Sequence, residues 1–142
     1  MSQVVLVSCV SKKRTIPVMA QDLYVSDWFL KASAYAKKIG DRWFILSAKY
    51  GLAPPEKIIE PYNLTLKSMS IYARRSWAIN VIKELGNLVT SGDTVIFLAG
   101  ERYREYLVEP LSKMGCMISI PMQGLRIGEQ MQWLNHQIQG LR

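Results

Sequence analysis

Four short stretches pair small residues with groups able to bind or react. They are Ser8-Cys9-Val10-Ser11-Lys12-Lys13, Ser47-Ala48-Lys49-Tyr50-Gly51, Ala99-Gly100-Glu101-Arg102-Tyr103 and Pro121-Met122-Gln123-Gly124. Small residues let a ligand approach backbone N–H groups, and lysines compensate an anion. Cys9 is either a small buried apolar residue or a nucleophile, its thiolate favoured by Lys12 or Lys13 and by a following helix N-terminus. Glu101 is the best-placed carboxylate for general acid/base work, with Asp22 second; the plainer role for Glu101 is to favour the start of the helix it opens. Ser8, Ser11, Lys13, Ser47, Lys49, Gly100, Gln123 and Gly124 are candidate ligands for a phosphate or a base edge. The plainer role for Lys49 is a solvated turn lysine. Tyr24, Tyr50, Tyr62 and Tyr103 either offer a base a stacking surface or are core edges whose hydroxyls reach solvent.

Several chemistries are excluded by count. His136 is the single histidine and Cys9 and Cys116 the two cysteines, so a histidine triad, a two-histidine metal site and a disulfide framework are ruled out. Neither a Walker lysine in its glycine-rich frame nor G-x-G-x-x-G is present. No metal or other cofactor is expected. Cys116 and His136 carry no expected role in chemistry.

The elements that must position these groups follow from apolar periodicity. Buried strands are expected at 3–8 (QVVLVS), 43–47 (WFILS), 94–99 (TVIFLA) and 117–120 (MISI). None alternates, as befits strands covered on both faces. Helices are expected at 26–39, capped by Ser26 and stopped by Gly40, and at 70–89. Another is expected at 101–114, kinked or divided by Pro110, and a last at 128–139, burying Met131, Leu134 and Ile138. Arg74 and Arg75 read as a solvated helix face. This strand–helix repetition predicts an α/β fold in one three-layer domain, a mostly parallel four-stranded sheet with helices on both faces. Residues 51–68, with Pro54, Pro55 and Pro61, form the long irregular segment. In such a sheet ligands gather outside the carboxyl ends of the strands, where all four stretches would converge.

The chain has 142 residues, 49% hydrophobic and 20% charged, which suits one folded domain rather than disorder. A membrane span and a secretion signal are not expected, and the chain reads as cytoplasmic. Its formal charge of +7 suits nucleotides or nucleic acid as partners, or simply a cationic soluble surface.

Read together, 7–13 (VSCVSKK), 22–29 (DLYVSDWF) and 46–52 (LSAKYGL) resemble a small uncharacterised bacterial and phage domain family. Phe97-Leu98-Ala99-Gly100 before Tyr103, and Pro121-Met122-Gln123-Gly124-Leu125 with Gly128, fit the same pattern over nearly the whole chain. The segment 45–52, followed by Pro54 or Pro55, Ile59, Pro61 and Tyr62, is more distantly similar to the YaaA-like peroxide-stress proteins. That resemblance implies DNA binding, although their helix-hairpin-helix element has no counterpart here. Ser8-Cys9 with Lys13, then Tyr24 and Ser26, is similar to the lysine-transferring domain of archaeosine synthase, a tRNA-modifying enzyme. There the spacing from Lys13 to Tyr24 is shorter, and a histidine stands where Trp28 or Phe29 stands here.

The expected function is therefore an enzyme acting on a nucleobase or nucleotide, by base modification, glycosidic-bond or repair-type chemistry. A base would stack near Tyr50 or Tyr24, Ser11, Ser47 and Lys49 would hold phosphate or a base edge, and Glu101 or Asp22 would move protons. The alternatives are a non-catalytic basic DNA- or RNA-binding module of the YaaA-like type and a partner-dependent subunit.

Overall fold

A computed structural model describes residues 1–140. In chain order its elements are β1 (Gln3–Ser8), β2 (Val18–Met19), α1 (Ala20–Leu23), α2 (Asp27–Ile39), β3 (Arg42–Ser47), β4 (Gly51–Ala53) and β5 (Ile58–Ile59). A 3₁₀ turn (Leu66–Ser68), α3 (Ile71–Gly86), β6 (Thr94–Leu98), α4 (Glu101–Arg104), α5 (Val108–Lys113), β7 (Met117–Ser119) and α6 (Ile127–Gly140) follow.

β1 is central because it is apolar throughout. Val4, Val5, Leu6 and Val7 are all fully buried, so both faces of the strand are covered. It pairs in parallel with β3 on one side and β6 on the other, Val7 lying between Ile45 and Leu98. The sheet order is β4-β3-β1-β6-β7, with β6–β7 parallel and β3–β4 antiparallel. This α/β sheet is thus mixed and five-stranded, not the expected four. The extra strand, β4, lies inside the segment expected to be irregular. Gly51, at φ +71°, takes the left-handed turn that folds β4 back on β3. β2 and β5 form a separate antiparallel ribbon.

The helix signals act as their chemistry requires. Ser26 Oγ accepts from Phe29 N at 3.1 Å, and Ser70 Oγ accepts from Ala73 N at 3.1 Å. Gly40 ends α2 in extended backbone, where an added Cβ would lie 2.9 Å from both Arg42 O and Val5 Cγ2, so crowding rather than a left-handed cap selects it. The third helix breaks at 105–107, ahead of Pro110. A continuous helix would leave the Tyr106 carbonyl without a donor and press the proline ring against it. Of the three residues expected to be buried on α6, only Leu134 is; Met131 and Ile138 are half-buried.

Arg74 departs from the solvated face expected of it. Its guanidinium bonds Glu105 at 3.0 Å and Met69 O at 2.7 Å, tying α3 to the turn after α4. Among the described residues no helix is long and apolar enough to cross a membrane.

Candidate functional site at the β1–β6 crevice

From β1 the chain crosses through α2 to β3 on one side, and from β4 it crosses through α3 to β6 on the other. The connections leaving β1 and β6 therefore diverge. A crevice must open between the carboxyl ends of these two neighbours, the usual ligand position in open α/β sheets. A cavity of about 900 Å³ lies there, a volume typical of small-molecule sites.

Ser8, Cys9, Ser11, Lys12 and Lys13 line it from the β1 end, and Gly100, Glu101, Arg102 and Tyr103 from the β6 end. Ser26 and Trp28 of the α2 start, Ile127 and Gln130 of the α6 start, and Asn63, Leu64, Thr65 and Lys67 complete the walls. The lining carries four cationic side chains, Lys12, Lys13, Lys67 and Arg102, the last paired with Glu105 at 3.2 Å, against one carboxylate, Glu101, so the cavity favours an anion.

Backbone pairing explains how Lys13 reaches the site. Val25 N donates to Lys12 O at 3.0 Å and Arg14 N to Leu23 O at 2.9 Å, which lays Lys13 against Tyr24. The Lys13 ammonium stands 4.4 Å from the Tyr62 ring centre and 5.7 Å from that of Tyr24. Burial holds its pKa below the usual lysine value, opposed by the neighbouring Cys9.

Cys9, 7% exposed, donates from Sγ to Tyr103 Oη at 3.4 Å, and the same hydroxyl accepts from Leu66 N. Burial first, then Cys9, pushes the Tyr103 hydroxyl up to about 12, so it stays protonated at neutral pH. Cys9 is followed by irregular chain with a bend at Ser11, not by the helix expected to favour its thiolate. Next to this group, Tyr24 and Tyr62 share a hydrogen bond at 2.6 Å, and Ser47 Oγ donates to Tyr62 Oη at 2.8 Å. Burial raises the pKa of both tyrosines well above the ordinary value.

The expected residues therefore divide. Ser8, Cys9, Ser11, Lys13, Gly100, Glu101 and Tyr103 meet around the large cavity. Gln123 and Gly124 line a neighbouring cavity of about 200 Å³ at the ends of β6 and β7, which shares Gly100, Glu101 and Gln130 with the large one. The β3 end lines neither cavity. Ser47 is fully buried, its Oγ accepting from Tyr50 N and its carbonyl taking the Trp77 indole N–H at 2.9 Å. Lys49 is exposed over the Tyr50 ring, and the Tyr50 hydroxyl is bonded to the Glu60 backbone. Asp22 is exposed and lines neither cavity. Tyr24 is 0% exposed, so no base can stack on it.

Sequence reasoning passed over Trp28, Lys67, Thr65, Asn63 and Gln130 as lining residues. Trp28 had a usable signal, since it follows the Ser26 cap by two residues and so stands in the first helical turn, off the buried face. Cys116, buried before β7, lies outside both linings. Among the described residues no three His, Cys, Asp or Glu side chains are grouped to hold a metal ion.

Fold and site together define an α/β protein with a cationic, aromatic-walled cavity at the switch point of its sheet. The chain belongs to the family described as "Family of unknown function (DUF6884)", which matches residues 4–136. It is similar to the "Uncharacterized protein YfjM" of Bacillus subtilis (strain 168), at 28% identity over 131 residues, covering 87% of this chain and 82% of that protein. No solved structure gives a significant match.

Proposed function

We propose that the protein is an enzyme acting on a nucleobase or nucleotide held in the β1–β6 crevice. The observation that carries this reading is the cavity itself. It is large enough for a nucleotide, lies where open α/β sheets bind ligands, and is lined by four cationic side chains beside aromatic rings. The resemblances to the YaaA-like proteins and to the archaeosine synthase domain support the same class of partner by analogy.

In this reading Ser11, Lys12, Lys13 and Lys67 hold phosphate. The Cys9 thiol gives its proton to Glu101 and its sulfur bonds a substrate carbon as the leaving group departs with that proton. Water then displaces the sulfur, releasing product and restoring the thiol. Ser47, Lys49 and Asp22 drop out of the reaction, because they line no cavity. The sheet is taken as the middle of three layers, since successive right-handed crossovers to opposite sides of β1 put α2 and α3 on opposite faces. The protein is read as cytoplasmic, where the free thiols of Cys9 and Cys116 stay reduced.

A thermal-shift screen against nucleosides, nucleotides and short oligonucleotides tests the class, and turnover of the best binder tests the chemistry. Cys9→Ser and Glu101→Ala are expected to abolish turnover without unfolding the protein, and mass spectrometry of the intact wild-type protein to trap a Cys9 adduct. Full activity in Cys9→Ser contradicts the covalent route. The net charge of +7 favours a second reading, a non-catalytic nucleic-acid module. It predicts oligonucleotide binding that weakens steeply with salt, and no response to mononucleotides.

A further inference from the structure

Gln130 makes two hydrogen bonds that leave no freedom in how its amide is oriented. Its Oε1 accepts the Trp28 indole N–H at 2.9 Å, and its Nε2 donates to Leu125 O at 2.9 Å. An indole N–H only donates and a carbonyl only accepts, so the amide must face this way. Gln130 thereby ties three pieces of chain together: the first turn of α2, the first turn of α6, and the loop between β7 and α6. Trp28 and Gln130 are both half-buried, and both line the large cavity.

The other aromatic groups in this neighbourhood have their positions taken. Tyr24 is sealed off, Tyr103 is buried with its ring set edge-on against Trp77, Tyr50 is bonded to Glu60, and the Tyr62 face is covered by Lys13. Trp28 is left as a broad aromatic surface on the wall, and an indole has the largest face of any side chain for stacking a heteroaromatic ring.

We infer that Trp28 is the stacking wall for the base of a nucleoside monophosphate, and that Gln130 is a positioning residue that holds the indole at the stacking angle. The inference rests on the proposed nucleotide reading and adds to it where the base lies and what fixes that place. Phosphate affinity comes from Ser11, Lys12, Lys13 and Lys67, and base affinity from Trp28.

Calorimetric titration of the full chain with AMP, GMP, CMP, UMP and ribose 5-phosphate separates the two contributions. At least one nucleotide is expected to bind about 10-fold tighter than ribose 5-phosphate, the advantage that one stacked base gives. Trp28→Ala removes that advantage and leaves ribose 5-phosphate affinity unchanged, whereas Trp28→Phe keeps most of it. Trp28→Leu, which retains bulk without an aromatic face, serves if the alanine variant does not fold. Gln130→Leu lowers the advantage about 3-fold, again with no change for ribose 5-phosphate, a split that a merely structural role would not produce. An advantage undiminished from the wild type in Trp28→Leu or in Gln130→Leu overturns the assignment of that residue. If ribose 5-phosphate binds as tightly as every nucleotide, the stacking inference falls while anion binding in the crevice stands. If none of the five binds, both fall.

Discussion

The ends of β1 and β3 look alike in sequence and have opposite fates. Each is a buried strand closing on serine, then a small residue and a lysine nearby: Ser8-Cys9 with Lys12 and Lys13, Ser47-Ala48 with Lys49. At β1 these groups open onto a cavity of about 900 Å³. At β3 they are scaffold. The cause is topological. Chain leaving β3 turns back within four residues to become β4, and the segment reaching Tyr62 then covers the strand end, so the serine hydroxyl is spent on Tyr62 and Tyr50. Chain leaving β1 runs away from β6, and the gap between them is the cavity. A serine–lysine strand end thus opens onto a cavity only where the connections on either side of it diverge.

The largest losses are expected at the β3 end. Trp77→Ala removes a buried indole and its bond to the Ser47 carbonyl, and is expected to cost about 3–5 kcal/mol in urea unfolding. Ser47→Ala leaves Tyr62 and the Tyr50 N–H short of a partner, for about 1–3 kcal/mol, with nucleotide affinity per folded molecule unchanged. A loss of affinity there would put the β3 end back in the site.

The tyrosines between the two regions give a pH signature. Below pH 10 Tyr103 keeps its proton in both the folded and the unfolded chain. Above it, the unfolded chain ionises first, because the folded hydroxyl is pushed up to about 12. Stability should therefore fall as pH rises from 10 towards 12, by up to about 1.4 kcal/mol per pH unit for this one proton. Tyr103→Phe should make the fall shallower, as followed by circular dichroism.

The two lysines are expected to differ by less. Lys13→Ala is expected to weaken nucleotide binding about 10-fold, near 1.4 kcal/mol. In the wild type, affinity should decline as pH climbs through the lowered Lys13 pKa, below 10.5, and that decline should vanish in the variant. Lys49→Ala should change neither affinity nor stability by more than about 0.5 kcal/mol.

Much of the fold was legible because it is written in local chemistry. β1 runs over the residues its apolar stretch marks, and Ser26 and Ser70 cap the helices they precede. What was not legible depends on distant partners. β4 is three residues of Gly-Leu-Ala before two prolines, and it is a strand only because β3 lies beside it. Ser8, Cys9, Ser11, Lys13, Gly100, Glu101 and Tyr103 do line the large cavity, since a strand's carboxyl end can be read from sequence. The β3 end was misjudged because its cover, Tyr62 and β4, comes from the segment that looked irregular. Trp28 was passed over because its position on the wall depends on α6, a hundred residues away.

The division between the two strand ends is tested most directly by following backbone amide and indole resonances while AMP, and separately CMP, is titrated into the isotopically labelled protein. The account predicts shifts at Cys9 to Lys13, at the Trp28 indole N–H and at Gly100 to Tyr103, with Ala48, Lys49 and Tyr50 unmoved. Shifts concentrated at Ala48, Lys49 and Tyr50, or no shifts with either nucleotide, would contradict it.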